Sequence, residues 1–334
     1  MNKNFLIVSN DRLYIKNKII SSNYNDTINI IEGLGEKNIL SFYCRSAREP
    51  QNFISKKKNY NKFFKLNFFD LNKLSNHIIF MISITPYNFL ILLILKILNK
   101  KVTGYVYLRS DGHKEYYYKY GVIGKIIFNF MFKTVTNFLK IISVSSSITG
   151  LKKNFSLITP SEIDNQWFKN RIKPKIRIPK LLYLGRYKKE KGVFSLLDLI
   201  DQISVDLNLN VVGVKKKIYS KNKKVKFFLE LNSLKKVINA YDLCNIFILP
   251  SYTEGSPKVI LESLARQRPI IIFEDIKHVQ KNFKGIFVCK RNAKDLLTAI
   301  NHIMNNYKKI QNKINLNKIN TKKQFHNELN KIIL

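Results

Sequence analysis

The stretch from Asn245 to Phe273, "NIFILPSYTEGSPKVILESLARQRPIIIF", predicts a strand, a loop, a helix and a second strand in succession. Its two ends are short runs that are apolar almost throughout, as in strands buried on both faces of a sheet. Between them, Gly255 permits backbone angles closed to other residues, Ser256 is a favoured N-cap residue and Pro257 suits the first helical position. This succession is the repeating unit of a parallel α/β sheet.

The same unit recurs along the whole chain of 334 residues, a length that fits two domains of roughly 100–200 residues each. The predicted strands are "FLIVS", "NILSFYC", "HIIFMISI", "GYVYLR" and "IISVS" in the first half, and "KLLYLG", "LNVVGV", "KFFLE", "NIFILP", "PIIIF" and "GIFVC" in the second. The fold class is therefore α/β, with two Rossmann-like domains built on parallel sheets. We expect a first domain at 1–168, a linker at 169–180 rich in charge and proline, a second domain at 181–308 and a helical tail at 309–334.

The composition is strongly basic, because 59 Lys and Arg stand against 22 Asp and Glu, a formal net charge of +37. Such an excess favours anionic partners such as phosphorylated substrates, anionic lipid or nucleic acid. Lys and Asn are spread along the whole chain, however, so a biased base composition would explain the charge equally well. The three cysteines show no Cys-x-x-Cys spacing, which favours a reducing compartment.

The apolar segments are too short for a signal peptide or a membrane span. The most apolar of them, "FLILLILKIL" at Phe89–Leu98, contains Lys96 and is about half the length that a bilayer requires. We expect a cytoplasmic protein.

Glu254 and Glu262 lie eight residues apart in the loop and the helix that follow the buried strand "NIFILP". Open α/β sheets bind ligands at this carboxyl end, and the N–H groups and dipole of a helix N-terminus attract anions. A carboxylate cannot bind a phosphate, but it accepts hydrogen bonds from sugar hydroxyls. On spacing alone, a solvated helix residue and a loop charge would explain the two glutamates as well.

A second polar cluster, in "LLYLGRYKKEKGV", follows the first predicted strand of the same domain. The strand ends at Gly185, Arg186 follows it, and Lys191 with Gly192 opens the next helix. Arginine offers a planar fork to phosphate oxygens and lysine a mobile point charge. In so basic a region chance is the alternative, and position after the strand, rather than charge, argues for a function.

In these motifs the sequence resembles the large family 4 of retaining glycosyltransferases, which have the GT-B fold of two facing Rossmann-like domains. "GRYKKEKG" is similar to the family's G-R-x4-K-G, and "PSYTEGSPKVILESLA" is similar to P-S-x2-E-G-x-P-x4-E-x2-A, which contains the E-x7-E pair. The resemblance extends from about Leu157 to Ile300, and over the first 150 residues it is architectural only.

The resemblance implies a role for each of these residues. Arg186 and Lys191 would hold the diphosphate of a nucleotide-sugar donor and stabilise the leaving group, with Glu254 at the donor sugar and Glu262 at the ribose hydroxyls. The donor-binding residues would also include main-chain positions at Gly185, Gly255, Ser256 and Pro257. The family uses neither a metal nor a cofactor, and it transfers the sugar with retention at the anomeric carbon.

Three departures from the family pattern stand in the sequence. Gln267 replaces the glycine expected after the second glutamate, Leu229 occupies the place of another glycine, and the first strand lacks a glycine-rich loop after it. These departures concern the base identity and the contacts of the first domain.

In the first domain, Arg109, Asp111 and His113 follow the strand "GYVYLR" and are candidates for the acceptor or sugar side. A positioned Asp or His can act as a base toward an acceptor hydroxyl, although an ordinary strand-to-helix loop would look the same. The next segment carries Lys119, Lys125, Lys133 and Lys140 among Tyr, Ile, Phe and Met. It is either a basic amphipathic helix on an anionic membrane or a core helix with solvated lysines.

The sequence thus predicts a metal-independent hexosyltransferase, or a related glycosyltransferase, acting on a cell-surface glycan such as lipopolysaccharide or capsule, or on a lipid-linked acceptor. It would work in the cytoplasm, with peripheral contact at the inner face of the cell membrane. The alternatives are an epimerase or phosphorylase of the same fold, or a basic nucleic-acid-binding protein. Dispersed lysines and no recognised nucleic-acid module argue against the last.

Overall fold

The structure is a computed structural model that describes residues 3–16, 19–49, 53–55, 63–65, 77–98, 102–148, 150 and 154–333. The chain forms two compact units. The first comprises residues 1–162 together with 322–334, and the second comprises residues 163–321.

The first unit contains a mixed sheet whose parallel part has the strand order β5-β3-β1-β6-β7-β8-β9, and β2 and β4 add antiparallel strands beyond β1. The strands are β1 (Asn4–Lys16), β2 (Ile19–Ser22), β3 (Ile39–Ser46), β4 (Phe53–Ser55), β5 (Phe63–Lys65), β6 (Ile78–Ile82), β7 (Gly104–Leu108), β8 (Lys140–Ser143) and β9 (Phe155–Leu157). Its helices are α1 (Asn25–Gly35), α2 (Pro86–Leu98) and α3 (Gly112–Phe138).

The second unit contains a sheet in the order β12-β11-β10-β13-β14-β15, and every described pairing in it is parallel. Its strands are β10 (Lys180–Leu184), β11 (Asn208–Val214), β12 (Val225–Leu229), β13 (Ile246–Leu249), β14 (Ile270–Phe273) and β15 (Ile286–Cys289). Its helices are α4 (Val193–Asp201), α5 (Leu234–Asp242), α6 (Lys258–Ala265), α7 (Ala293–Asn305) and α8 (Tyr307–Ile314). The last helix of the chain, α9 (Lys322–Ile333), belongs to the first unit.

Every apolar run predicted as a strand is a strand, and the central strands are buried on both faces as expected, whereas the edge strand β12 is largely exposed. Strands β13 and β14 are fully buried, and the core of the second unit continues through α4, α6, α7 and α8. In the first unit one core lies under α2 and α3, and another lies under α1 and α9. The fold is therefore made of two doubly wound sheets, each covered by helices.

The expected linker at 169–180 lies within the second unit, where buried arginines hold its main chain. The guanidinium of Arg266 donates to the carbonyls of Trp167, Lys169 and Asn170 at 2.7–3.0 Å, and Arg268 donates to that of Ile172 at 2.7 Å. These contacts explain why the unit begins at residue 163 rather than 181. The segment at 169–180 looks like a linker from its prolines and charges, but the second unit binds it along its main chain, and we call it the strap.

The expected tail at 309–334 is divided between the two units. Tyr307, Ile310 and Ile314 of α8 are buried in the core of the second unit. Phe325, Leu329 and Ile333 of α9 are buried in the first unit, and α9 packs against α1. The tail is helical as predicted, but its apolar faces place its halves in different cores.

Where a glycine-rich loop was missing after the first predicted strand, β1 extends to Lys16, is 13 residues long and pairs antiparallel with β2. Leu13 of β1 and Ile20 of β2 are buried in the core. The residues after the predicted first strand therefore form a longer strand, and not a glycine-rich loop that could bind phosphate.

Candidate functional site

The two motif loops of the second unit leave neighbouring strands at the same edge of the sheet. Strand β10 pairs with β13 on one side and with β11 on the other, so the strand order reverses between β10 and β13. In doubly wound sheets the ligand crevice lies outside the carboxyl ends of the strands at this reversal. Arg186 and Lys191 follow β10, and Glu254 follows β13.

The carboxylate of Glu254 binds a cation from the other loop. Its Oε1 accepts a hydrogen bond from Lys191 Nζ at 2.7 Å and another from Ser251 Oγ at 2.6 Å. The pair is largely withdrawn from water, because the side chains of Lys191 and Glu254 are only 20% and 12% exposed. Within the described residues the second oxygen, Oε2, accepts no hydrogen bond, which leaves it available to a hydroxyl.

The main chains of the two loops also touch. The amide of Tyr252 donates to the carbonyl of Glu190 at 3.2 Å. Gly192 has φ of 66°, and a Cβ built there would lie 1.9 Å from the carbonyl oxygen of Pro250. Only glycine therefore permits this approach, and the approach sets the distance between the two loops.

Arg186 is exposed, and its main chain is fixed. The phenol of Tyr183 in β10 donates to the carbonyl of Arg186 at 2.7 Å, and the amide of Lys188 donates to the same oxygen at 2.9 Å. An exposed guanidinium on a fixed backbone is suited to closing on an anion that arrives from solvent.

Glu262 lies one turn into α6 and is half-buried. Its Oε2 accepts a hydrogen bond from the hydroxyl of Tyr241 at 2.8 Å, and Tyr241 is fully buried. Burial raises the pKa of Glu262, while the Tyr241 bond and the nearby charge of Lys258 lower it. A carboxylate held in this way can accept hydrogen bonds from hydroxyls without closing on a cation.

Helix α6 begins at Lys258, with Pro257 rather than Ser256 at the N-cap position. The side chain of proline carries no hydrogen-bonding atom, so it cannot cap the N–H groups of the first turn. The helix dipole then favours an anion beside Gly255, Ser256 and Pro257. The predicted position of the helix start was wrong by one residue.

The unusual "ARQRP" segment is explained by the structure. Gln267 has φ of 57°, so the backbone keeps the left-handed conformation that glycine would adopt there. Arg266 and Arg268 are fully buried, and Arg266 binds Asp242 in a bidentate pair with distances of 2.9 and 2.7 Å. Both arginines hold the strap described above and do not reach the ligand edge.

The structure brings Arg109 into a polar cluster of the first unit. Its guanidinium lies 3.2 Å from Asp11 and 3.3 Å from Thr27, and it donates to Ser83 Oγ at 2.9 Å. Asp111 caps α3 by accepting from the amides of His113 and Lys114. His113 is buried, with its ring centroid 4.8 Å from that of Phe128. The roles of these three residues toward an acceptor stay a prediction.

Sequence reasoning missed Tyr241, Ser251 and Arg291, which support the site. Arg291 donates to the carbonyl of Pro250 at 2.9 Å, and its guanidinium lies 4.2 Å from the ring centroid of Tyr252. Ser251 follows its strand directly and could have been found from that position. Tyr241 and Arg291 come from distant elements and leave no local signal.

Comparison with known proteins agrees with this geometry. Residues 165–321, just under half of the chain, match the family model described as "Glycosyl transferases group 1". Across nearly its whole length the chain is similar to sucrose-phosphate synthase from Thermosynechococcus elongatus, with a TM-score of 0.67, 13% identity and coverage of 99% and 95% of the two chains. Anabaena HepE in complex with UDP-glucose gives a TM-score of 0.68 at 11% identity, with 98% of both chains covered.

The fold is GT-B. This confirms the expected class of two Rossmann-like domains with parallel sheets. Likenesses at such low identity establish the fold and leave the reaction to the site residues.

Two curated relatives are similar over part of their length. The putative teichuronic acid biosynthesis glycosyltransferase TuaC of Bacillus subtilis is 31% identical over 41% of this chain and 36% of its own. The N,N'-diacetylbacillosaminyl-diphospho-undecaprenol alpha-1,3-N-acetylgalactosaminyltransferase of Campylobacter jejuni is 27% identical over 51% of this chain and 46% of its own. The chain thus spans less than half the length of each of these relatives.

Neither a metal cluster nor a membrane span is found in the described ranges. They contain no group of three or more His, Cys, Asp or Glu side chains that could hold a metal ion. No helix described there has both the length and the apolar character that crossing a bilayer requires.

Proposed function

We propose that the chain is a retaining, metal-independent glycosyltransferase of family 4. It would move a hexosyl or related group from a nucleotide-diphosphate sugar to a hydroxyl of a cell-surface glycan or of a lipid-linked glycan. No cofactor takes part, and the nucleotide sugar is a substrate.

The observation that carries the proposal is the meeting of the two motif loops at the strand-order reversal of the second sheet. Lys191 and Glu254, 63 residues apart in sequence, are 2.7 Å apart at this edge. Cations that can bind a diphosphate and carboxylates that can bind hydroxyls thus share one crevice. A nucleotide sugar carries both of these groups.

The diphosphate would lie between Arg186, Lys191 and the N-terminus of α6. As the bond between the sugar and the phosphate breaks, negative charge grows on the leaving diphosphate. Arg186 closing from solvent, Lys191 drawn from Glu254 and the dipole of α6 would together stabilise that charge. This is the work that a metal ion performs in other transferases.

Before a donor binds, Lys191 and Glu254 neutralise each other's charge. An arriving diphosphate competes with Glu254 for the lysine, and the sugar hydroxyls compensate Glu254 through its Oε2. Glu262, held by Tyr241, accepts the ribose hydroxyls. The departing diphosphate oxygen takes the acceptor proton on the face where the acceptor attacks, which gives retention.

The acceptor is proposed from the relatives and from the protein's charge. One relative is named for teichuronic acid biosynthesis and the other for transfer to a sugar carried on diphospho-undecaprenol, so a glycan or a lipid-linked sugar is the acceptor class that the names suggest. An acceptor of that class would place the enzyme in the cytoplasm, at the inner face of the cell membrane. Arg109, Asp111 and His113 are proposed for the acceptor side because they follow β7 at a carboxyl edge.

A panel of nucleotide sugars tests the proposal. We expect one uridine- or guanosine-diphosphate sugar to raise the melting temperature of the protein and to be hydrolysed or transferred, because a ligand that binds only the native state stabilises it. Arg186→Ala and Glu262→Ala should each lower turnover by about a hundredfold or more while the fold survives.

Arg177→Ala and Asp206→Ala are matched controls, since both side chains are exposed and precede strands β10 and β11, at the edge of the sheet opposite the motif loops. Unchanged turnover in Arg186→Ala or Glu262→Ala would contradict the site assignment. An isomerised nucleotide sugar, or release of a sugar phosphate, would favour the epimerase or the phosphorylase. Tight, salt-dependent binding of RNA or DNA without nucleotide-sugar binding would favour the nucleic-acid alternative.

A further inference from the structure

Helix α3 is apolar on two opposite faces, and only one of them is covered. The helix is kinked at Gly121, where φ is 65°. Beyond the kink, the inward face packs into the core of the first unit through Phe128, Met131, Phe132 and Val135. The outward face consists of Val122, Ile123, Ile126, Ile127 and Phe130, which are 49–70% exposed.

These exposed residues form a continuous stripe. Their spacing of one, three and four residues places them along one side of an α-helix, away from the buried residues. Single exposed apolar residues are ordinary on a protein surface, but a contiguous stripe of large ones marks a contact surface. The sequence had left open whether the apolar residues of this segment are core, and the structure shows that half of them are not.

Helix α2 extends the stripe. The rings of Phe89 in α2 and Phe130 in α3 meet at 5.8 Å between centroids, so the two helices lie side by side. Leu90, Ile97 and Leu98 of α2 are exposed as well, with Ile97 at 80%. We call the outward residues of both helices the α2–α3 surface.

The α2–α3 surface is uniformly basic. Lys119, Lys125 and Lys133 are exposed on α3. Between Glu115 and Glu162 the sequence contains no acidic residue. An apolar stripe flanked by cations, with no acid near it in sequence, is complementary to a surface that is apolar inside and anionic at its rim.

We propose that the α2–α3 surface docks on an anionic lipid bilayer, with the apolar stripe in the interface and the lysines on the headgroups. A second copy of this chain is a poorer occupant, because a symmetric contact would bring the lysines of both copies together. The inference rests on the proposed function only insofar as a lipid-linked acceptor gives the docking a purpose.

Flotation of the full chain with vesicles tests the proposal. We expect strong binding to vesicles of phosphatidylcholine mixed with phosphatidylglycerol and weak binding to phosphatidylcholine alone. Ile123→Ser/Ile126→Ser/Phe130→Ser should lower the partition coefficient by about tenfold or more, because it removes the inserted apolar area. Lys119→Gln/Lys125→Gln/Lys133→Gln should lower it by a similar factor, most clearly at low salt.

The control variant is Lys215→Gln/Lys216→Gln/Lys217→Gln, which removes the same charge from an exposed run in the second unit. We expect it to bind vesicles like the wild-type protein. An equal loss in this control would show that net charge alone is responsible and would overturn the proposal. The proposal would also be overturned if the serine variant bound vesicles as strongly as the wild-type protein. It would be overturned as well if the wild-type protein were a dimer that the serine substitutions dissociate.

Thermal stabilisation by nucleotide sugars separates this proposal from the proposed function. The serine variant should retain it, since its changes lie in the first unit, outside the donor motifs. Vesicle binding without any nucleotide-sugar binding would support the docking surface and contradict the proposed glycosyltransferase function. Nucleotide-sugar binding with no vesicle binding would support the proposed function and contradict the docking surface.

Discussion

Glu254 and Glu262 belong to one sequence motif, yet their surroundings give them opposite electrostatic conditions. Glu254 is neutralised by Lys191 at 2.7 Å. Glu262 meets the neutral phenol of Tyr241, and burial raises its pKa above the ordinary value of 4.5. The negative charge of Glu262 therefore costs the folded protein free energy that the charge of Glu254 does not.

A pH series on Glu262→Gln should expose this cost. A carboxyl with a raised pKa holds its proton more tightly in the folded state, so its favourable contribution is complete below about pH 4.5 and is lost as the pH rises through the raised pKa. The glutamine variant has no such loss. Its free energy of unfolding relative to the wild-type protein should therefore increase from pH 4 toward neutrality, as measured by urea denaturation.

Tyr241→Phe supplies the change of opposite sign. It removes the hydrogen bond that lowers the pKa of Glu262, so the loss of stability with rising pH should become larger than in the wild-type protein. A difference between wild type and Glu262→Gln that is constant with pH would show that the pKa of Glu262 is not raised.

At the residue scale, the sequence predicted which side chains follow the strands at the carboxyl edge of the second sheet and missed what holds them. Glu254 and Lys191 could be placed because each follows a recognisable strand. Tyr241 could not, because its hydroxyl reaches Glu262 across 21 residues of sequence and depends on how α5 packs on α6. The conformation of Gln267 was also hidden, since a left-handed glutamine looks like any other glutamine in a sequence.

At the scale of elements, the spacing of the two motif loops depends on Gly192. Two glycines have a positive φ, Gly192 with φ of 66° and ψ of 9° in the left-handed region, and Gly121 with φ of 65° and ψ of −151° in a region that essentially only glycine occupies. A Cβ at Gly121 would meet nothing within 4 Å, whereas one at Gly192 would lie 1.9 Å from the carbonyl oxygen of Pro250. The two positions therefore separate backbone strain from steric collision.

Gly121→Ala should cost about 1–3 kcal/mol in the free energy of unfolding, the strain of a non-glycine residue in that backbone conformation. Gly192→Ala should add a collision to the strain of a left-handed alanine, because the loop after β10 must move away from the loop after β13. It should also weaken the thermal shift given by nucleotide sugars, whereas Gly121→Ala should leave that shift unchanged. Equal effects of the two substitutions would mean that the loops do not depend on their close approach.

The elements themselves were largely predictable, and their limits were not. Apolar runs bounded by turn residues revealed the strands of both sheets, because parallel strands are buried on both faces. The short strands β2, β4, β5 and β9 lack such runs and were missed. The strap at 169–180 looked like a linker because its partners, Arg266 and Arg268, lie 97 and 96 residues further along the chain.

At the scale of the whole molecule, the chain leaves the first unit at residue 162 and returns to it at residue 322. Helix α9 is bound there by specific contacts as well as by its apolar face. His326 Nε2 donates to Asn29 Oδ1 at 2.7 Å, and Asn330 donates to the carbonyl of Gly33 at 2.9 Å. The stability of α1 should therefore depend on a helix that follows the second unit in sequence.

Leu329→Ala tests that dependence. Leu329 is fully buried in the core shared by α1 and α9, so its truncation should cost about 2–5 kcal/mol. Hydrogen exchange should then accelerate in α1 and α9 and stay unchanged in strands β10 to β15, because the lost contacts belong to the first unit alone. Leu316→Ala, at a position 66% exposed between α8 and α9, is the matched control and should alter neither region. Unchanged exchange in α1 after Leu329→Ala would show that α9 covers the first unit without stabilising it.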